Sequence, residues 1–247
     1  IVAEQNAIPG AANRLVARFA RAAAVSFPGT PLRRAVVTGN PIRPKVLEID
    51  RRRDGEAAKA ALAVESGRRL VLVTGGSLGA LRINEAAMDA LDLWKDRDDL
   101  AVRHIVGERD WNVIHPDQRL GDAVLQYLPV CYDDDMPRTL AAADVAVSRA
   151  GSSSCFELAA AGLPAVLVPS PYVTADHQTA NARQLEAAGG AVVVRDEELT
   201  GARLVAEVDA LLADPARLDA MTDAMHRFAR PKAADEIAAL AEEHARD

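Results

Sequence analysis

Residues 70–80 read LVLVTGGSLGA: the apolar run Leu70 to Val73 breaks at Thr74 into glycines and then into helix formers. A short apolar run without alternation has the pattern of a strand covered on both faces, as in a parallel sheet. Glycines that end such a strand and open a helix bring backbone N–H groups and the positive end of the helix dipole to one point, a seat for anionic oxygen. Ser77 adds a hydroxyl donor there. The spacing matches neither the G-x-G-x-x-G of a dinucleotide fold nor the G-x-x-x-x-G-K-[ST] of a P-loop, which disfavours an NAD-dependent enzyme or a P-loop nucleotidase. By itself such a turn also serves as a tight connection whose glycines answer only to backbone geometry.

A second turn of the same design gives the first its meaning. In VAVSRAGSSSCFELAAAGLPAVLVPSP, residues 145–171, a strand runs into Arg149, Gly151 and three serines, then a helix carrying Glu157, then Gly162-Leu163-Pro164 and another buried strand. The serines are expected to cap that helix, and its N-terminus to hold anionic oxygen. Glu157 lies about one turn past the cap, where a carboxylate can accept hydrogen bonds from vicinal hydroxyls such as those of a ribose; a solvated helix glutamate is the plainer reading. Beyond the next strand, TADHQTANA at 174–182 places Asp176 as a cap and His177, Gln178 and Asn181 at a helix start, with neutral donors and acceptors suited to sugar hydroxyls. No metal is needed. His104 is expected to satisfy itself at a strand edge, and His115, His226 and His244 to lie on the surface.

Outward from these turns the same alternation continues. Strands are expected at 35–38, 70–74, 102–106, 124–128, 145–148, 165–168 and 191–194, with helices at 56–65, 80–93, 136–142, 153–161, 178–188 and 202–212, and a final amphipathic helix after Pro231 with Ile237 and Leu240 on one face. Strands alternating with helices predict an α/β fold, a doubly wound parallel sheet from about residue 42 onward. The Gly-Asn-Pro turn in VVTGNPIRP, residues 36–44, reads as a hinge. Ahead of it one helix and one strand are expected, too little for a domain. The chain of 247 residues carries 29 basic and 36 acidic residues, a formal charge of −7, which disfavours nucleic acid as a partner. Its two cysteines, Cys131 and Cys155, form no metal motif and fit a reducing cytosol. No apolar run approaches the roughly 20 residues of a membrane span.

Taken in order, EQN at 4–6, VVTGNPIR at 36–43, GGSLGA at 75–80, DDM at 134–136, residues 141–171, DHQTANA at 176–182 and the LLAD region closing the last strand–helix unit resemble glycosyltransferase family twenty-eight. These are the bacterial N-acetylglucosaminyltransferases that build the second lipid intermediate of peptidoglycan. The resemblance covers nearly the whole chain. It implies the GT-B architecture, two Rossmann-like domains facing across a cleft, and inverting transfer of N-acetylglucosamine from UDP-N-acetylglucosamine to lipid I without a cofactor or metal. Residue by residue, it puts Gly76, Ser77 and Gly79 on the diphosphate with Arg43 near it, and Gly151 and Ser152 at the second cradle. Glu157 falls on the ribose hydroxyls, Leu128 on uracil through its backbone, and Arg149 beside the base. His177, Gln178 and Asn6 fall on the sugar.

The same resemblance divides the chain into 1–41, a remnant of an acceptor domain; 42–230, the UDP-sugar-binding domain; and 231–247, a helix packing back on the first domain. The opening IVAEQN then reads as a chain whose beginning is missing. The candidate general base is expected to precede Ile1, as is the patch that docks the family on the inner face of the cell membrane, so no catalytic residue is expected within the chain, which is expected to carry the donor-binding half and to be inactive alone. Leu78 departs from the family, which often carries Gln there. A UDP-sugar-binding module working with a separate acceptor subunit is the alternative; a sugar-nucleotide epimerase lacks its paired carboxylates.

Overall fold

The structure, a computed structural model, describes residues 1–76, 79–114 and 123–245. The chain enters through three short strands, β1 (Val2–Glu4), β2 (Ala23–Val25) and β3 (Ala35–Val37), which pair in parallel in that order, with helix α1 (Ala11–Val16) between the first two. Two of these strands were not expected, because three residues are too few to show a period. Glu4 is buried and accepts from the backbone N–H groups of Asn6 and Gly10 and from the Asn13 side chain. Burial alone would raise its pKa, but these hydrogen bonds carry the carboxyl below its usual value. The Glu-Gln-Asn motif is thus a turn organiser.

Past the hinge, α2 (Pro44–Leu47) and α3 (Arg51–Ala61) lead into a six-stranded parallel sheet. Asp50 caps α3 by accepting from Arg52 and Arg53 N–H, so this helix starts five residues ahead of the expected Glu56. The sheet comprises β4 (Arg69–Thr74), β5 (Leu100–Ile105), β6 (Gln126–Val130), β7 (Val145–Ser148), β8 (Ala165–Leu167) and β9 (Ala191–Val193), in the spatial order β6-β5-β4-β7-β8-β9. Helices α4 (Leu81–Trp94), α5 (Glu108–Ile114), α6 (Met136–Ala142), α7 (Ser152–Ala161) and α8 (His177–Ala187) connect successive strands. After β9 come α9 (Gly201–Leu212), α10 (Pro215–Phe228) and α11 (Ala233–Ala245).

The sheet is buried on both faces, as its unbroken apolar runs require. Val71 and Val73 of β4 pack with Ile83, Leu91 and Trp94 of α4 and Leu204 and Val208 of α9; on the other face Leu72 packs with Phe156 of α7 and Leu185 of α8. From β4 the chain winds outward to β5 and β6, then returns to β7 and winds the other way. The switch in winding direction therefore falls between β4 and β7, where such folds open a crevice at the carboxyl ends of the strands.

Contacts bind the small sheet to the large one. Phe27, fully buried after β2, meets Phe156 edge-on at 5.1 Å between centroids and Phe228 of α10 at 6.1 Å. Ser152 donates to the Gln5 carbonyl, Asn40 donates to Ser153 at 3.4 Å, and buried Asn181 accepts from Ala7 N–H at 2.9 Å while donating to the Ala150 carbonyl at 3.1 Å. The last helix begins against Gly39, whose added Cβ would lie 3.4 Å from the Ala233 Cβ.

Candidate functional site

The two glycine turns leave the carboxyl ends of β4 and β7, the two strands that flank the switch point. They meet across one broad groove of about 1120 Å³, lined on one side by Gly75, Gly76 and Gly79 and on the other by Gly151 and Ser154. Gly76 and Ser154 also line a narrower cleft of about 180 Å³, which runs on to Arg43, Tyr132, Asp133, Met136 and Glu157. An elongated ligand can therefore span both, with its middle over the glycine turns.

The helices that open onto this site lack side-chain caps. Neither Ala80 before α4 nor Gly151 before α7 supplies a side-chain capping hydrogen bond, as is also true of α1, α2, α6 and α8, whereas α3, α9 and α10 are capped by Asp50, Thr200 and Asp214. The first-turn N–H groups of α4 and α7 keep their electropositive ends for a ligand. This corrects two expectations. The serines do not cap α7, because Ser152 and Ser153 are turned to Gln5 and Asn40. Gly76 and Gly79 do not offer their own amides: Gly76 N–H donates to Thr74 Oγ1 at 3.2 Å and Gly79 N–H to the Gly76 carbonyl at 3.0 Å. They shape the turn. Ser77 and Leu78 lie outside the described residues, as does His115.

In the narrow cleft, Glu157 pairs with Arg43 through Nε and Nη2, each 3.0 Å from Oε1. The arginine is half exposed at 51% and the glutamate 16% exposed, so the pair is weak enough for hydroxyl groups to displace. Arg43, expected near the diphosphate, pairs with this carboxylate in the cleft that Gly76 also lines. Arg149, expected beside the base, lines the broad groove; its Nη1 is bound by Asp196 and by the carbonyls of Val168 and Pro169.

Leu128 was expected at the end of its strand, but β6 continues to Val130. Leu128 sits mid-strand in register with Arg103, its side chain against the cluster of Leu70, Ala101 and Ala142, and it lines neither cavity. Residues past the true strand end, Tyr132 and Asp133, line the narrow cleft in its place. Asp133 is held by Thr139 at 2.6 Å and Arg103 at 3.3 Å. The signal that finds them is position: they follow the carboxyl end of a parallel strand, and the end was placed two residues too early.

Gln178 lines the broad groove and accepts from Ser170 N–H at 2.9 Å. His177 does not line it, and its Nδ1–H donates to the Thr174 carbonyl at 2.9 Å. Asn6 accepts from Asn181 at 3.1 Å, bridging the two sheets. Ile1, the residue ahead of which the general base was expected, is an exposed apolar side chain just before β1 and lines neither the groove nor the cleft. Its side chain has no proton to exchange, so it is no substitute for that base.

Behind the first glycine turn runs a buried polar chain that sequence reasoning missed. His104 lies within β5, flanked by β4 and β6 rather than at an edge, and is fully buried. Its Nε2 is 3.0 Å from Asn84 Oδ1 and its Nδ1 is 2.9 Å from the Tyr127 hydroxyl. Asn84 Nδ2 donates to the Val106 carbonyl at 2.9 Å and to Asp110 Oδ2 at 3.0 Å, which leaves Oδ1 as the acceptor and assigns the proton to Nε2 of a neutral imidazole. Desolvation lowers the His104 pKa to about 4. Cys155, under the second turn, is fully buried and its thiol is pushed up to about 12 by desolvation, which makes it a packing group and not a nucleophile.

Comparison with known proteins finds relatives of one family. The model of the glycosyltransferase family 28 C-terminal domain matches residues 70–237. A relative from Halothermothrix orenii, the UDP-N-acetylglucosamine--N-acetylmuramyl-(pentapeptide) pyrophosphoryl-undecaprenol N-acetylglucosamine transferase, is 35% identical over 257 aligned residues, covering 100% of this chain and 68% of its own. The crystal structure of MurG from Acinetobacter baumannii superposes with a TM-score of 0.80 at 27% identity, covering 98% of this chain and 65% of that one. The UDP-GlcNAc 2-epimerase of Neisseria meningitidis, bound to UDP-GlcNAc, shares the fold alone, with a TM-score of 0.64 at 15% identity over 93% of this chain and 63% of that one. The chain thus spans about two thirds of the length of these proteins.

Proposed function

Because the chain belongs to glycosyltransferase family 28, we propose that its two connected cavities hold UDP-N-acetylglucosamine, and that the protein transfers the sugar to lipid I with inversion, giving lipid II. The observation that carries this is the meeting of two uncapped helix N-termini across one groove at the switch point, with Glu157 lining the adjoining cleft. The diphosphate lies over the turns. Glu157 accepts from the ribose hydroxyls, the base reaches toward Tyr132 and Asp133, and the sugar lies in the broad groove near Gln178.

In the reaction, the acceptor hydroxyl gives its proton to a base as its oxygen forms a bond to the anomeric carbon and that carbon's bond to the β-phosphate oxygen breaks. The bonding pair leaves on the diphosphate. The N-termini of α4 and α7 face the charge that grows there, and preorganised donors of this kind lower the barrier because they need not reorient during the reaction. Residues 42–230 form the donor side in this reading, and α11 docks the chain end against the small sheet. The lipid acceptor brings the working protein to the cytoplasmic face of the membrane; among the described residues no helix is long and apolar enough to cross it.

Isothermal titration with UDP, UDP-N-acetylglucosamine, ADP and NAD tests the assignment. Uridine nucleotides bind selectively, and Glu157→Ala weakens UDP about tenfold or more, the scale of hydrogen bonds to a charged group. Equal affinity for ADP, or an unaffected Glu157→Ala, defeats the donor-site reading.

A further inference from the structure

We infer that Arg109 is the cation of the diphosphate subsite, the side chain that grips phosphate oxygen beside the glycine turn; this rests on the donor reading above. Arg109, on the first turn of α5, lines the broad groove together with Gly76, Gly79 and Gly151. Its Nε donates to Asp110 Oδ1 at 3.0 Å. The other oxygen of the same carboxylate touches the turn: a Cβ built on Gly79, whose φ is +82°, would lie 2.7 Å from Asp110 Oδ2. One buried carboxylate thus abuts the turn with one oxygen and aims a guanidinium with the other.

That carboxylate does not move freely. Asp110 is 3% exposed and its Oδ2 accepts from Asn84, which His104 fixes in turn. The chain from His104 to Arg109 therefore ends in an oriented cation. Arg109 itself is 62% exposed, and among the described residues no bond occupies its two Nη groups. Of the other arginines of the site, Arg149 is held by Asp196 and Arg43 by Glu157; Arg82, whose Nε reaches the Asp196 carbonyl at 3.4 Å, shares the groove but is oriented by no buried carboxylate among the described residues.

Charge balance calls for such a group. A diphosphate placed here lies close to Asp110 and Glu157 in a chain of formal charge −7, and a helix N-terminus supplies only about half a positive charge. A planar guanidinium with two open donors matches two phosphate oxygens.

The test is titration of wild type, Arg109→Gln and Arg109→Lys with UDP and with uridine, each variant first shown to melt like wild type. Arg109→Gln weakens UDP by about tenfold or more, leaves uridine unchanged, and flattens the salt dependence of UDP binding; Arg109→Lys lies between. If wild type binds UDP and Arg109→Gln binds it equally well, or loses uridine in the same proportion, the subsite assignment is overturned while the donor reading stands. If wild type binds no UDP, the donor reading falls and takes this assignment with it.

Discussion

At the scale of single residues, His104 joins stability to the site. Its unfolded pKa lies near 6.5 and its folded pKa at about 4, so between these values the unfolded chain binds a proton that the native chain refuses. Stability contributed by the neutral imidazole is complete above pH 6.5 and is lost as the pH falls toward 4, by about 3 kcal/mol in total. Urea unfolding of wild type and His104→Gln at pH 7, 6, 5 and 4 checks this. The variant is less stable at pH 7, because it breaks the bond to Tyr127 or Asn84, but loses less on acidification; parallel pH profiles would show that His104 is not the group that titrates. The sequence marks His104 as a group needing satisfaction, but its partners Asn84 and Tyr127 lie 20 and 23 residues away on other elements. The same limit hid the pairing of Arg43 with Glu157 across 114 residues.

At the scale of elements, α7 begins at the groove without a side-chain cap. Gly151 precedes it with φ −63° and ψ 146°, a backbone that any residue adopts, and an added Cβ would meet nothing nearer than Ser154 Oγ at 3.8 Å. Gly151→Asp therefore fits, caps the free N–H groups and places a negative charge at the positive end of the helix. The variant gains about 0.5–1 kcal/mol in thermal unfolding while UDP titration shows the binding lost, since the carboxylate occupies the anion's place. A variant that is stabilised and still binds UDP as wild type does would remove α7 from the phosphate site. Elements of this kind were legible. The strand β7 and helix α6 fall where the apolar runs place them, and β4 and α4 lie within a residue of expectation. Others were not, α2 and α5 among them. The three-residue strands β1 and β2 owe their existence to pairing partners and show no pattern of their own. Helix α10 was missed although Asp214-Pro215 carries a cap and a proline at the first helical position, because only Ala213 and Asp214 separate it from α9.

At the scale of the whole molecule, the question is whether the two sheets move as one body. Their junction combines an aromatic cluster with polar links from Gln5, Ala7 and Asn40 to Ser152, Asn181 and Ser153, and these links end on α7 and α8, the helices that bound the groove. The small sheet has only a modest core of its own around Val2, Ala17, Ala23 and Val25. Its persistence therefore depends on Phe27, which is 0% exposed between Phe156 and Phe228. Truncating a fully buried phenylalanine costs about 3–5 kcal/mol, more than a sheet with so small a core can lose and remain closed. Amide hydrogen exchange read by mass spectrometry distinguishes the outcomes. In Phe27→Ala the amides of β1 and β2 lose about a hundredfold or more of their protection, while those of β4 and β7, at the centre of the large sheet, retain most of theirs. The large sheet then still presents both glycine turns, and UDP binding survives in weakened form because Ser152 and Ser153 have lost their partners from the hinge side. Equal loss of protection in β2 and β4 would instead mean that the two sheets unfold as one cooperative unit, and the groove would then depend on the small sheet for its existence as well as for its shape.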